Sequence, residues 1–258
     1  MSEPAEAFYL PLGDNRYEPT RATESPWDSQ AQHGGPPTAL LGHLLDTAAG
    51  PDKRLARITA DFLGAIPRRP FRVDTVEIRP GRRIALLEAR MVFDDRPAVV
   101  ARAWAIETGP TPPATGEQLH PPALADADPA LDLTGWGYGE AIEWRYTRGG
   151  YGTADSAADV WTRVRIPLIA GEKLTGLART LVVADSANGV SAALPMEHWL
   201  FIPPSITVTL ARFPDTEWVH MACRSHLSPD GLGVSHATLS DTDGYLGEVS
   251  QPLLVRPR

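Results

Sequence analysis

Three polar side chains in the second half of the sequence, Asp185, Ser205 and Gln251, are of types that could together activate a water molecule. Asp185 follows the apolar run 182–184, and burial among such residues raises the pKa of a carboxyl group and makes it a better proton acceptor. A hydroxyl and a carboxamide each offer a donor and an acceptor, so Ser205 and Gln251 could hold a water beside that carboxylate. The trio is therefore a candidate catalytic group for general-base attack by water.

A second candidate group, His33, Gly34 and Gly35, directly precedes two prolines and an apolar run with helical spacing. Glycines let the backbone approach a ligand closely, and the N–H groups at a helix N-terminus attract negative charge. The three residues are therefore predicted to bind the substrate, with main-chain donors stabilising an oxyanion.

Each candidate also has a structural alternative. Asp185 could be a solvated helix residue or could support the turn at 186–189, although a carboxylate late in a helix opposes the helix dipole, which favours a functional reason. Taken alone, Ser205 is typical of a strand entry and Gln251 of an exposed strand position. Gly34 and Gly35 could form an ordinary turn before a helix.

Other residues that often carry chemistry predict no metal site and no cofactor. Cys223 lies on the apolar face of a predicted strand, which favours a packed thiol over a nucleophile. The glycines at 135–139 match no dinucleotide-binding pattern. Five tryptophans of the second half could line a tunnel, although packing is their commoner use (Trp136, Trp144, Trp161, Trp199, Trp218). The histidines lack metal-ligand spacing (His33, His43, His120, His198, His220, His226, His236).

Composition limits the class of protein. The 24 basic and 32 acidic residues give a formal net charge of −8, which disfavours a general nucleic-acid binder. No apolar run approaches the roughly 18–20 residues that cross a bilayer, so no membrane span is predicted. A single cysteine and a first segment without a leader pattern lead us to expect a cytoplasmic protein.

A segment rich in Pro, Ala and Asp at 109–135 is predicted to be a linker between an N-terminal unit, 1–108, and a C-terminal unit, 136–258. Both units follow the same order, with two short strands, one apolar helix and then four strands. The helices are predicted from Gly34 and from about Glu172. The strands are predicted at 8–12, 15–20, 57–66, 71–79, 83–93 and 98–107, and at 141–148, 160–166, 205–212, 218–227, 233–239 and 245–255.

Ile58-Thr59 and Ile206-Thr207 match at an offset of 148 residues, which favours an internal duplication. A long apolar helix is covered by an antiparallel sheet only if the sheet curls around it. We therefore predict an α+β fold of two tandem hotdog units, each a curled antiparallel sheet around a long helix, with the sheets joined edge to edge.

The segments Gln32-His33-Gly34-Gly35, Ala184-Asp185, Ser205-Ile206 and Val249-Ser250-Gln251 resemble the double-hotdog type II acyl-CoA thioesterases. The resemblance spans nearly the whole chain. It implies hydrolysis of an acyl-CoA thioester by a water that an Asp, a Thr and a Gln activate, which correspond to Asp185, Ser205 and Gln251. Ser205 departs from the pattern by lacking the methyl group of threonine.

Several alternatives remain beside this resemblance. A hotdog hydratase would place a histidine five residues after the Asp, where this chain has Val190, and an α/β-hydrolase would need a Gly-x-Ser-x-Gly elbow. A non-catalytic acyl-thioester binding protein stays open because of the change at Ser205. One active site per chain is expected, because the first helix presents Leu44 or a neighbour where the second presents Asp185. A homo-oligomer is expected because a hotdog sheet leaves a broad face to cover.

Overall fold

The computed structural model describes residues 5–109, 120–150, 152–153 and 155–258. The first half contains β1 (Tyr9–Gly13), β2 (Arg16–Pro19), α1 (Gly35–Ala49), β3 (Lys53–Phe62), β4 (Phe71–Arg79), β5 (Ile84–Phe93) and β6 (Arg96–Glu107). The second half contains α2 (Gly137–Glu140), β7 (Ile142–Arg148), β8 (Ala157–Val164), α3 (Gly176–Ala184), α4 (Ala187–Val190), β9 (Trp199–Ile202), β10 (Ser205–Leu210), β11 (Val219–Leu227), β12 (Leu232–Asp241) and β13 (Gly244–Pro257).

The two halves have the same strand order within one antiparallel sheet. The order is β1-β2-β4-β5-β6-β3 in the first half and β7-β8-β11-β12-β13-β10 in the second, and β3 pairs with β10 to join them. Strand β9 pairs with β13 beside this path. The expected edge-to-edge joining of two similar sheets is thus observed as the β3–β10 pair.

Helices α1 and α3 pack against each other between the curled halves of the sheet. Helix α1 begins where Pro36 and Pro37 occupy its first turn, a position in which a missing N–H costs little, and it ends at Gly50 with a φ of 82°. Apolar side chains at helical spacing, such as Leu41 and Leu45, are fully buried. The inward faces of the strands complete this core.

The second helix is shorter than the sequence pattern predicts. Helix α3 begins at Gly176, because the hydroxyl of Thr175 caps it by accepting the N–H of Ala178 at 3.1 Å. It ends at Ala184, and the chain resumes helical structure only at α4. Asp185 therefore lies at a break between two helices and not within one long helix.

The observed strands also differ from the prediction in two places. Strand β3 covers Lys53–Phe62 and not 57–66, and residues 64–66 line a cavity instead of continuing the strand. Strand β9 is not predicted by the sequence, because its four residues show no alternation long enough to detect. The other predicted strands lie within a few residues of the observed ones.

Part of the predicted linker, 110–119, lies outside the described residues. The part at 120–135 contains a short 3-10 helix at Leu124–Asp126, and its Leu131 and Leu133 pack against the core. In the described part of the chain no helix is long and apolar enough to span a membrane.

Candidate active site

A cavity of about 660 Å³ opens beside the end of α3, where segments of both halves meet. Most of the side chains that line it are apolar or aromatic, including Trp27, Phe62, Trp136, Trp144, Tyr146 and Phe201. Its polar lining residues include His33, Asp185, Ser186 and Asn188. Such a cavity suits an apolar group held against a few polar atoms.

Asp185 occupies the C-cap of α3 and is only 5% exposed. Gln251 of β13, which is fully buried, donates its Nε2 to Asp185 Oδ1 at 2.8 Å and lies 3.3 Å from the main-chain oxygen of the same residue. Gln251 is not among the residues that line the cavity. It supports the carboxylate from the sheet side, and its Oε1 has no hydrogen-bond partner in the described part of the chain.

The environment of Asp185 places its protonation change near neutral pH. Burial raises the pKa of this carboxyl to about 7, although hydrogen bonds from Gln251 and from the N–H groups of Gly34 and Gly35 act in the opposite direction. A carboxyl that titrates near neutral pH can accept a proton during a reaction and release it afterwards.

The two glycines before α1 allow this helix to approach α3 closely. A Cβ on Gly34 would lie 2.7 Å from Asp185 Oδ2, and a Cβ on Gly35 would lie 2.1 Å from the main-chain oxygen of Val182. Neither glycine has a positive φ, so the requirement is space and not an unusual backbone conformation. Gly34 and Gly35 thus lie against Asp185, a residue of the other half.

The expected main-chain oxyanion donors are not available to the cavity. Pro36 and Pro37 have no N–H, the N–H of Thr38 bonds to the oxygen of Gly34, and the N–H groups of Gly34 and Gly35 are directed at Asp185. The N-terminus of α1 therefore stabilises the Asp185 carboxylate, and the prediction that it stabilises a substrate oxyanion is not supported by this geometry.

His33 lines the cavity and contacts Asp185. Its Nδ1 lies 3.2 Å from Asp185 Oδ2 and accepts a hydrogen bond of 3.1 Å from the N–H of Gly35. The imidazole stacks on Tyr138 with ring centroids 4.1 Å apart, and the Tyr138 hydroxyl bonds to Ser186 and to the oxygen of Val182, at 2.8 Å each. Burial lowers the pKa of His33 to about 3, which keeps the isolated ring neutral.

Ser205 is not brought to this group. It is the first residue of β10 and lies opposite Asp61 of β3. Its neighbour Ile206 faces the core and is fully buried, so the pleat turns Ser205 towards the opposite face of the sheet. Pro203 and Pro204 line the cavity, whereas Ser205 does not. The expected contact of Ser205 with Asp185 is therefore absent, because the strand places its side chain out of phase with the site.

Several residues of the site have no clear signal in the sequence. Tyr138 lies in a four-residue helix among glycines, and Asn188, whose Nδ2 donates to the oxygen of Phe201 at 3.0 Å, lies in an equally short helix. Only two of the five tryptophans proposed for a tunnel, Trp136 and Trp144, line the cavity. The one signal in the sequence for this part of the site is the high density of aromatic residues at the start of the second half.

The corresponding position of the first half carries different chemistry. Leu44 of α1 packs against the core, and the Nε2 of its neighbour His43 lies 3.1 Å from Glu172 Oε2. Cys223 is fully buried, and burial raises the pKa of its thiol. Among the residues that the structure describes, no three His, Cys, Asp or Glu side chains are grouped to hold a metal ion.

Comparison with known proteins shows which family this chain matches. Two family models match, an acyl-CoA thioesterase N-terminal domain over residues 23–106 and an acyl-CoA thioesterase C-terminal domain over residues 113–255. No curated protein matches the chain.

Solved structures share the fold at low sequence identity. A protein of unknown function with a hotdog fold from Alicyclobacillus acidocaldarius is 17% identical, with 98% of this chain and 97% of that chain covered and a TM-score of 0.75. The acyl-CoA thioesterase II TesB2 from Mycobacterium marinum is 18% identical, with 97% and 96% covered and a TM-score of 0.67. A tesB protein from Mycobacterium avium subs paratuberculosis is 14% identical, with 96% of each chain covered and a TM-score of 0.68.

These similarities confirm the predicted hotdog type of fold and the resemblance stated from the sequence. The family models together account for most of the chain, including His33, Asp185 and Gln251. The chain belongs to the acyl-CoA thioesterase family.

Proposed function

We propose that this protein is a tandem pair of hotdog units that hydrolyses an acyl-CoA thioester to the free acid and coenzyme A. The observation that carries the proposal is the buried Asp185 carboxyl at the wall of an apolar cavity. This carboxyl accepts hydrogen bonds from the Gln251 side chain and from the N–H groups of Gly34 and Gly35. The family supplies the substrate class, and the cavity supplies room for an apolar acyl group.

The chemistry requires one base and one water. Asp185 drives removal of a proton from the water, whose oxygen forms a bond to the thioester carbonyl carbon. The tetrahedral intermediate then loses the C–S bond, and the proton goes to the leaving sulfur. Gln251 fixes the orientation of the carboxylate, because its Nε2 donates to Oδ1 from β13.

The test is release of free thiol from acyl-CoA esters of graded chain length by the wild-type protein and by Asp185→Asn. A positioned general base contributes about 100- to 10,000-fold, so Asp185→Asn is expected to lose that factor in kcat. Asp61→Asn, which changes an exposed carboxylate on β3, is the matched control and should retain wild-type activity. Equal thiol release by wild type and Asp185→Asn would remove Asp185 from the mechanism.

A second candidate, a non-catalytic acyl-thioester binding protein, is favoured by the position of Ser205, because the hydroxyl expected to complete the trio faces away from Asp185. The same panel separates the two functions. Binding of acyl-CoA without thiol release by the wild-type protein would favour the binder. Full activity in Ser205→Ala would instead indicate that hydrolysis proceeds without this hydroxyl.

A further inference from the structure

The candidate site contains a histidine that the expected trio leaves unused. His33 belongs to the first half of the chain and Asp185 to the second, and their side chains meet at 3.2 Å in a nearly closed environment. The imidazole is 10% exposed and the carboxylate 6% exposed. A contact of this kind joins two titratable groups into one unit whose protons are shared.

Both oxygens of Asp185 are already occupied by the protein. Oδ1 accepts from Gln251, and Oδ2 lies against His33 Nδ1 and next to Gly34. A cavity water that approaches Asp185 therefore shares a carboxylate oxygen with a group of the protein.

The other nitrogen of the imidazole is placed differently. In the described part of the chain, His33 Nε2 has no hydrogen-bond partner. It is also absent from the set of fully buried polar atoms without a partner, so this nitrogen is not sealed inside the protein. Because His33 lines the cavity, Nε2 is the ring nitrogen that is open to a cavity water or a substrate without sharing a protein hydrogen bond.

The proton count of the pair makes this nitrogen a base. Nδ1 and Oδ2 can approach to 3.2 Å comfortably only with a proton between them. In this structure the Gly35 N–H donates to His33 Nδ1 and also bonds to Asp185. When the pair carries its single proton on Nδ1, Nδ1–H donates to the carboxylate, the Gly35 N–H donates to Asp185 alone, and Nε2 presents a lone pair. Uptake of a second proton then occurs at Nε2.

The ring is held in this orientation. It stacks on Tyr138 with an interplanar angle of 12°, and the Tyr138 hydroxyl is fixed by Ser186 and the Val182 oxygen. Tyr138 and Asp185 are the titratable side chains in contact with the imidazole, and burial keeps Tyr138 protonated by raising its pKa. The stack thus fixes the plane of the ring without competing for its protons.

We propose that His33 is a catalytic residue whose Nε2 takes the proton of the attacking water, with Asp185 holding Nδ1–H. This inference rests on the proposed thioester hydrolysis and changes the route of its proton. The water oxygen bonds to the carbonyl carbon as one water proton moves to Nε2. The C–S bond then breaks, and the same proton moves from Nε2 to the sulfur.

The first test compares kcat and KM of His33→Gln, His33→Phe, Asp185→Asn and the double variant His33→Gln/Asp185→Asn on a thioester that wild type hydrolyses. Each single variant is expected to lose about 100- to 10,000-fold in kcat with little change in KM. The double variant should lose no more than the worse single variant, because the two side chains act as one base. Retention of kcat within about 3-fold in both His33 variants, or losses that multiply in the double variant, would overturn the proposal.

Chemical rescue distinguishes a catalytic role of His33 from a packing role. In His33→Ala, added imidazoles of graded basicity are expected to restore kcat, and the restored rate should rise with the basicity of the imidazole. Restoration that is independent of basicity, or no restoration by any imidazole, would assign His33 a packing role and overturn the proposal.

Two controls complete the design. His220 is a second buried histidine, 2% exposed and packed on Trp161 outside the cavity, so His220→Gln should keep kcat. Wild-type protein that releases no thiol from any ester would contradict the proposed function itself. Active wild type with active His33 variants would contradict this inference alone.

Discussion

The side-chain hydroxyls of Thr59 and Thr207 lie 3.0 Å apart where β3 and β10 pair. These threonines are directly opposite each other, and their separation of 148 residues equals the offset at which the two halves of the sequence match. Each threonine therefore faces its own counterpart, so the two halves are related by an approximate two-fold axis through this pair.

This relationship explains why the candidate site combines both halves. An axis between β3 and β10 sets α1 and α3 side by side, with the loop before α1 next to the end of α3. His33 and Gly34 from one half thus contact Asp185 from the other. The opposite end of the helix pair carries His43 and Glu172 and lacks the same arrangement.

Removing the Gln251 hydrogen bond should move the pH dependence of hydrolysis. The Gln251 Nε2 stabilises the ionised carboxylate and lowers its pKa, so Gln251→Leu raises the pKa of Asp185 above about 7. We expect the acid limb of the kcat profile to shift to higher pH, with activity recovered in part at pH 9. Ser250→Ala, on the outward face of the same strand, is the control. An unshifted limb would show that Gln251 does not tune this carboxyl.

The buried carboxyl should cost stability at neutral and alkaline pH. The pKa of Asp185 is about 7 in the folded protein and about 3.9 in an unfolded chain, so the native state binds more protons between these values and this group destabilises the fold as pH rises. Asp185→Asn should therefore exceed wild type in free energy of unfolding by on the order of 2–4 kcal/mol at pH 8.

That stability difference should be small at pH 4 and grow up to pH 7. The lowered pKa of His33 gives an opposite slope below pH 6.5, and this contribution is removed from both proteins when His33→Gln is compared with His33→Gln/Asp185→Asn. Urea unfolding at several pH values measures the difference in free energy of unfolding between the two proteins. A difference that is constant from pH 4 to 8 would argue against a buried, titrating Asp185.

A methyl group on Gly35 should separate the two helices. Its Cβ would meet the main-chain oxygen of Val182 at 2.1 Å, which no side-chain rotation can relieve. Gly35→Ala is expected to lower the free energy of unfolding by about 1–3 kcal/mol and to reduce kcat, because Gly34 and His33 move away from Asp185. Gly109→Ala, where nothing lies within 4 Å of the added Cβ, is the control in the same thermal unfolding assay. Equal stability of both variants would contradict the close approach.

Filling the cavity should change acyl-chain preference. Gly189 lines the cavity, and a Cβ at this position would meet nothing within 4 Å, so Gly189→Leu can be accommodated by the fold. We expect kcat/KM for long acyl-CoA esters to fall by about 10-fold or more, with little change for acetyl-CoA. Gly109→Leu serves as the control in the thiol-release assay. A uniform loss for every chain length would place the acyl group elsewhere.

The sequence by itself determines the local elements and their repetition. Pro36 and Pro37 begin α1, Gly50 ends it, and alternation predicts most strands, because capping, turns and periodicity act over a few residues. The repeated order also predicts two similar halves, and the resemblance carried by Asp185 and Gln251 leads to the correct family.

Only the tertiary structure decides which polar groups meet. The pairing of His33 with Asp185 joins opposite halves, and it depends on the packing of α1 against α3 through glycines. Ser205 illustrates the limit, because a shift of one residue along a strand turns a side chain to the other face of the sheet. Spacing along a sequence is local, whereas strand phase and helix contact are set by the whole core.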